Sequence, residues 1–278
     1  MTDYVKDKVI VVTGAGSGFG RLIAEMTAAR GAKVVGADIN PSGLTEVQTS
    51  IREAAGIFVA EVTDVTNRDQ MTRLAQTAIE NFGAIDVMIN NAGTMPLAFY
   101  ADHADAWEAW NRCIDINVKG VLNGISAVYD QMIAQGRGHV INISSIYGNF
   151  PVAGAAVYGA TKAAVNVLSE SLRVEAQGKI KVTLVKPTGV PGTGLGTSVV
   201  NRAGTIGGVG QNFPAFMVNV GKLAEGTLSG PDTDERSIKY WALDPRHLAD
   251  NIVYAIDQPW GVSIGDITVR ATGESYIL

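Results

Sequence analysis

Cysteine is nearly absent from this sequence. The single Cys113 excludes an intramolecular disulfide and fits a reducing compartment. Histidine is almost as scarce: His103, His139 and His247 lie far apart, without ligand spacing, so no metal site is expected. Lys and Arg form no block and the net charge is −5, which argues against a nucleic-acid surface. No run reaches the ~18 uncharged apolar residues of a membrane span. The opening "MTDYVKDKVIVVTG" has an apolar stretch too short for a signal peptide. No Gly-x-Ser-x-Gly elbow is present, which argues against a hydrolase. These gaps leave a cytoplasmic globular protein as the expectation.

What is there is apolar and regular. Short Val/Ile-rich runs at 8–14, 32–38, 56–64, 85–93, 139–145 and 181–187 alternate with segments of helical spacing at 18–30, 69–82, 105–134 and 157–177. Runs apolar at nearly every position are strands buried on both faces. Their alternation with helices predicts right-handed crossovers and a doubly wound parallel α/β sheet. A helix at 245–257 and a strand within 263–270 bring the sheet to seven strands. Residues 188–240 break the rhythm with eleven glycines and three prolines, and only 213–224 has a helical pattern. An excursion of that length is usually functional, and a lid over a site is expected. With no linker or repeat, residues 1–278 are expected to form one domain.

The first strand ends in "TGAGSGFG" (13–20), and a helix follows at once. Gly14, Gly18 and Gly20 permit a tight turn close to a pyrophosphate, and the helix N-terminus beyond offers free N–H groups. Asp38 ends the next strand, where a carboxylate can accept from an adenosine ribose. A 2′-phosphate would meet like charge there. Ser17 and Ile39 supply no cation, while Arg21 and Lys33 read as solvated charges, so NAD is the expected cofactor. The second glycine cluster, 189–196, reads as hinge and lid backbone. A third stretch, "AVYGATKAAVNVL" (156–168), sets Tyr158 and Lys162 at i and i+4 on one helix face. In isolation such a pair is usually a half-buried ring beside a snorkelling lysine.

Taken together, these motifs resemble the short-chain dehydrogenase/reductase family over most of 5–190, with a looser match through 270. The pieces are "TGAGSGFG", "NNAG" (90–93), Asn117 in "DINVKG", Ser145 in "NISS", and "YGATK" (158–162), with Ser145 thirteen residues before Tyr158. The resemblance implies a Rossmann-like fold and a catalytic tetrad of Asn117, Ser145, Tyr158 and Lys162. It places Asp64 and Val65 beside the adenine. Ser17, Phe19, Asn91, Ala92 and Gly93 would line the cofactor groove, and Pro187, Thr188, Gly189 and Val190 the nicotinamide wall. It also implies a homo-oligomer, tetramer or dimer, joined through helices 105–134 and 157–177. Two departures stand out: Pro187-Thr188-Gly189-Val190 where Pro-Gly is usual, and "VRATGESY" where "VDGG" is common.

The chemistry follows the resemblance. A tyrosine of ordinary pKa ~10 becomes a usable base near pH 7 if roughly 4 kcal/mol favours phenolate. A lysine ~4 Å away at an effective dielectric of ~20 supplies about that much. Ser145 would bond the substrate oxygen, Tyr158 would exchange its proton, and Asn117 would position a water relaying protons from Lys162. Met95, Leu97, Tyr147, Phe150 and Val152, with Phe213, Phe216 and Met217 from the lid, are the expected pocket walls. Trp107 and Trp110 are assigned to core or interface packing. The walls are apolar, so the expected activity is NAD-dependent interconversion of a hydrophobic secondary alcohol and its ketone. A sugar or polyol dehydrogenase and a non-catalytic cofactor sensor or scaffold remain the alternatives.

Overall fold

Side chains alternate between the two faces of the central strand, and both faces are covered. Ile10 and Val12 pack with Ile23, Leu44, Leu248 and Ile252, whereas Val9 and Val11 pack with Met71, Leu74, Val128 and Met132. That double burial is why the strands read as unbroken apolar runs. The computed structural model describes residues 3–278. Strands β1 (Val9–Thr13), β2 (Lys33–Asp38), β3 (Ile57–Val62), β4 (Val87–Asn90), β5 (Gly138–Ile143), β6 (Ile180–Val185) and β7 (Asp266–Ile267) form one sheet of order β3-β2-β1-β4-β5-β6-β7. Every pairing is parallel. This is the doubly wound Rossmann-like arrangement. Strand order reverses between β1 and β4, and a crevice opens there at the carboxyl ends of the strands.

Helices α1 (Gly18–Ala29), α2 (Pro41–Glu53) and α9 (Pro245–Ile256) cover one face; α3 (Arg68–Phe82), α5 (Gly120–Gln135) and α6 (Ala156–Glu175) cover the other. The expected helix 105–134 is two helices, α4 (His103–Ile114) and α5, joined by a π turn over Asp115–Lys119. A π turn adds a residue to the spiral and re-aims the side chains near it. Asn117 lies inside this one. Between β6 and α9 the chain makes several 3-10 turns, the single-turn α7 (Ile206–Val209) and the 12-residue α8 (Phe213–Ala224), and α8 matches the one segment with helical spacing. Trp110 is buried and its indole donates to Pro96 O (3.2 Å), while Trp107 is exposed. Among the described residues, no helix is long and apolar enough to cross a membrane.

Candidate active site

A cavity of about 1220 Å³ occupies the crevice, running from the glycine turn to α8. At one end stands the N-terminus of α1. Asn40 and Asn67 cap α2 and α3 with their side chains, but Ser17 makes no such bond at the start of α1. The first N–H groups of α1 therefore lack a side-chain partner, and Gly14, Ser17, Gly18 and Phe19 line the cavity beside them. Gly20 does not line it. A Cβ on Gly20 would fall 2.1 Å from Gly14 O, so its role is to let α1 sit directly on the turn. The cradle fits a pyrophosphate: bare backbone, free donors, and no side chain in the way.

Asp38 closes β2 beside this turn. Its two carboxylate oxygens accept from Gly16 N and Asn40 N, each at 2.9 Å, which fixes the group at the cavity wall next to Ile39. Asp64 and Val65 also line the cavity. The Asp64 carboxylate is committed to its own turn, accepting from Thr66 N (2.9 Å) and Thr66 Oγ1 (2.8 Å). Asn91 ties β4 to β1 by donating to Thr13 O (2.9 Å), and Ala92 and Gly93 continue the wall. Pro187, Thr188, Gly189 and Val190 line the opposite side.

Midway along the cavity Ser145, Tyr158 and Lys162 come together. Ser145 follows β5 and accepts from Tyr147 N (3.2 Å), which anchors a short turn. Its neighbour Ser144 is spent on structure, donating to Lys162 O (3.1 Å) and Asn166 Oδ1 (2.6 Å) of α6. One turn of α6 sets Tyr158 and Lys162 on the same side, both buried. Lys162 Nζ donates to Ile143 O (2.8 Å) and lies 5.8 Å from the centre of the Tyr158 ring.

The electrostatics of this pair differ from expectation. Burial raises the Tyr158 pKa above that of a free phenol, and the Ser145 hydroxyl pulls it only partly back. The neighbouring Lys162 ammonium does not overcome that burial. Burial brings its own pKa down to about 8, because an ammonium loses its water there and no carboxylate replaces it. The protein alone therefore holds Tyr158 protonated. Asn117 is buried beside this pair. Its Nδ2 donates to Thr94 O (2.9 Å) and Thr161 Oγ1 (3.1 Å), and its Oδ1 accepts from Thr94 N (3.0 Å). The π turn swings this amide inward, where it clamps the 93–95 loop to α6.

Beyond Tyr158 the cavity becomes apolar. Met95, Tyr147, Phe216 and Met217 line it. Four other expected wall residues do not. Leu97 and Val152 are packed in a core cluster behind Tyr147 and Tyr158, since both have apolar partners on every side. Phe150 is 61% exposed, on a loop outside the cavity. Phe213 precedes the lining face of α8, which begins one turn later with Phe216 and continues through Val220 and Leu223. Several lining residues escaped the sequence reading: Thr94, Ser198, Val199, Trp241, Glu274 and Tyr276. The atypical "VRATGESY" stretch was the signal for the last two, but nothing local shows that it folds back onto Thr188 and Gly189.

A family model described as short chain dehydrogenase matches residues 8–203. A Listeria innocua protein named as an uncharacterized oxidoreductase is 36% identical over 276 residues, spanning 98% of this chain and 99% of its own. A short chain dehydrogenase/reductase from Burkholderia phymatum, solved in complex with NAD, superimposes with a TM-score of 0.73 at 29% identity, over 96% of this chain and 90% of that one. A serine dehydrogenase complexed with NADP+ in its closed form gives a TM-score of 0.78 at 28% identity, covering 97% of each chain. The fold, the ordered motifs and these matches agree: the chain belongs to the short-chain dehydrogenase/reductase family of oxidoreductases.

Proposed function

We propose that the protein interconverts a hydrophobic secondary alcohol and its ketone, with NAD as the preferred cofactor. The observation that carries this reading is the meeting of Ser145, Tyr158 and Lys162 where a glycine-lined groove gives way to an apolar chamber. The N–H groups of α1 would hold the pyrophosphate, Asp38 the adenosine ribose, Val65 the adenine, and the Pro187–Val190 wall the nicotinamide end. Bound there, the dinucleotide would supply or accept a hydride.

The chain's own residues handle the oxygen. In reduction, the Ser145 hydroxyl donates to the ketone oxygen and fixes it beside Tyr158. The Tyr158 phenol, held protonated by burial, gives its proton to that oxygen as the carbon gains hydride. Lys162, whose pKa near 8 leaves it able to release a proton near neutrality, restores the phenol and takes a replacement proton from solvent through the cavity that it lines. Oxidation runs the same transfers backwards and needs added positive charge near Tyr158, because the chain alone favours the neutral phenol. Asn117 is a positioning residue that fixes the loop facing Lys162.

A polyol would need partners for several hydroxyls, whereas Met95, Tyr147, Phe216 and Met217 offer mainly apolar surface. We further read residues 188–240 as a lid on a single domain, and α4–α6 as the face that pairs copies into a dimer or tetramer. Trp107, Ile114, Leu122, Val167 and Val174 leave apolar surface exposed there. The test of the activity is a panel of aliphatic, alicyclic and aryl ketones with NADH and NADPH, followed at 340 nm. Turnover of apolar ketones with NADH is expected. Tight NADH binding with no turnover across the panel would leave the sensor or scaffold reading in its place.

A further inference from the structure

One wall of the cavity comes from Glu274, Ser275 and Tyr276, and it is built rather than draped. Ser275 is pinned from two sides: Trp241 Nε1 donates to its Oγ (3.0 Å), and Asn212 Nδ2 donates to its carbonyl (2.9 Å). Ile277 N donates to Gly208 O (3.0 Å) at α7. The Glu274 carboxylate, itself paired with Arg270, accepts from Thr188 Oγ1. The residues on either side of Tyr276 are thus fixed to the lid and to the Pro187–Val190 wall at once.

The Tyr276 ring has little freedom left. It meets Tyr147 edge-on at 6.2 Å between centres and Phe216 at 6.0 Å, with Tyr147 in turn 5.7 Å from Tyr158. A Cβ on Gly189 would fall 2.3 Å from Tyr276 Cε2, so the ring lies directly on that backbone. Only a glycine at 189 admits it. Such edge-on aromatic contacts add to the area they bury and hold ring orientation. Tyr276 is therefore a rigid aromatic stop, one ring removed from Tyr158, in a chamber whose other walls include the more adaptable Met95 and Met217.

We propose that Tyr276 is the specificity-determining residue of the apolar chamber, its ring limiting the size of the substituent carried away from the reacting carbon. This inference rests on the ketone-reductase reading. The unmodified enzyme takes compact ketones, and shortening Tyr276 opens room of the size that an aromatic ring occupies in an engineered apolar cavity. A single methylene already discriminates by about 10–200-fold in apolar pockets, so a whole ring is ample.

The experiment compares kcat/KM for cyclohexanone and 4-phenylcyclohexanone with NADH in the unmodified enzyme, Tyr276→Ala, Tyr276→Leu and Tyr276→Phe. The ratio of bulky to compact substrate rises at least tenfold in Tyr276→Ala and Tyr276→Leu. It stays within threefold in Tyr276→Phe, which keeps the ring, and the KM for NADH stays within threefold throughout. Tyr276→Leu retains apolar packing against Phe216 and serves if Tyr276→Ala does not fold. An unchanged ratio in a folded, active Tyr276→Leu overturns the proposal while leaving the ketone-reductase reading intact. A shift in Tyr276→Phe equal to that in Tyr276→Leu also overturns it, by assigning the effect to the hydroxyl. An unmodified enzyme inactive on both ketones with either cofactor defeats the function reading and this inference with it.

Discussion

Replacing Lys162 with methionine should make the protein more stable and inactive at the same time. Lys162 is 6% exposed, and its ammonium has one clear hydrogen bond, to Ile143 O. Burial lowers its pKa from 10.5 to about 8, which at ~1.4 kcal/mol per pKa unit is a penalty on the order of 3 kcal/mol at pH 7. Methionine fills similar space without charge but leaves Ile143 O without that donor, which offsets about 1 kcal/mol. A net gain of about 2 kcal/mol remains, a rise in Tm of about 3 °C for a domain of this size. The gain has a pH signature. An unfolded lysine keeps its proton up to about pH 10.5, while the folded one loses it near 8, so the penalty is full below pH 8 and is relieved as pH climbs to 10.5. Denaturant unfolding of both proteins from pH 7 to 10.5 should show their difference shrinking over that window. Activity should fall at least a hundredfold, the usual scale of a lost proton-transfer partner. A variant less stable than the parent at pH 7, or a difference flat with pH, would refute the account of Lys162 as a cation held at a cost for function.

Two further substitutions probe the cofactor end. At ~4 Å and an effective dielectric of ~20, each like-charge pair between Asp38 and a 2′-phosphate costs about 4 kcal/mol, and a third of that is already tenfold in affinity. The unmodified enzyme should prefer NADH over NADPH at least tenfold in kcat/KM, and Asp38→Arg should abolish or reverse the preference; parity in the parent would show that Asp38 does not face the ribose. Gly20→Ala puts a methyl 2.1 Å from Gly14 O, a backbone atom that can move only if the turn opens, so NADH affinity by fluorescence titration should fall at least tenfold. Unchanged affinity would detach the glycine turn from cofactor binding.

The sheet was legible because its signals are local: each strand is a short apolar run, and each crossover helix repeats its apolar positions within one element. The glycine turn and α8 were legible for the same reason, the latter down to its bounds at 213 and 224. The family resemblance marked Ser145, Tyr158 and Lys162, and two residues after a strand and one turn of helix then leave little choice of direction. What stayed hidden depends on distant partners. Leu97 and Val152 look like pocket walls until the core that surrounds them is known. Nothing near Tyr276 in sequence shows that it lies on Gly189, or that Trp241 and Asn212 hold its neighbour. The Tyr158–Lys162 electrostatics were misjudged for a related reason. Helical spacing fixes that the two share a face, but desolvation depends on everything packed over them.

The central claim is that Tyr158 delivers the proton that accompanies hydride transfer between a nicotinamide and a ketone carbon. Its most direct measurement is reduction of an apolar ketone with NADH carrying deuterium at the transferable C4 position, with the alcohol analysed by mass spectrometry. The account predicts one deuterium at the carbinol carbon with the unmodified enzyme. In Tyr158→Phe, which removes only the phenol oxygen, it predicts product formation at least a hundredfold slower while NADH still binds. Alcohol formed without deuterium, or a Tyr158→Phe enzyme within tenfold of the parent rate, would contradict it.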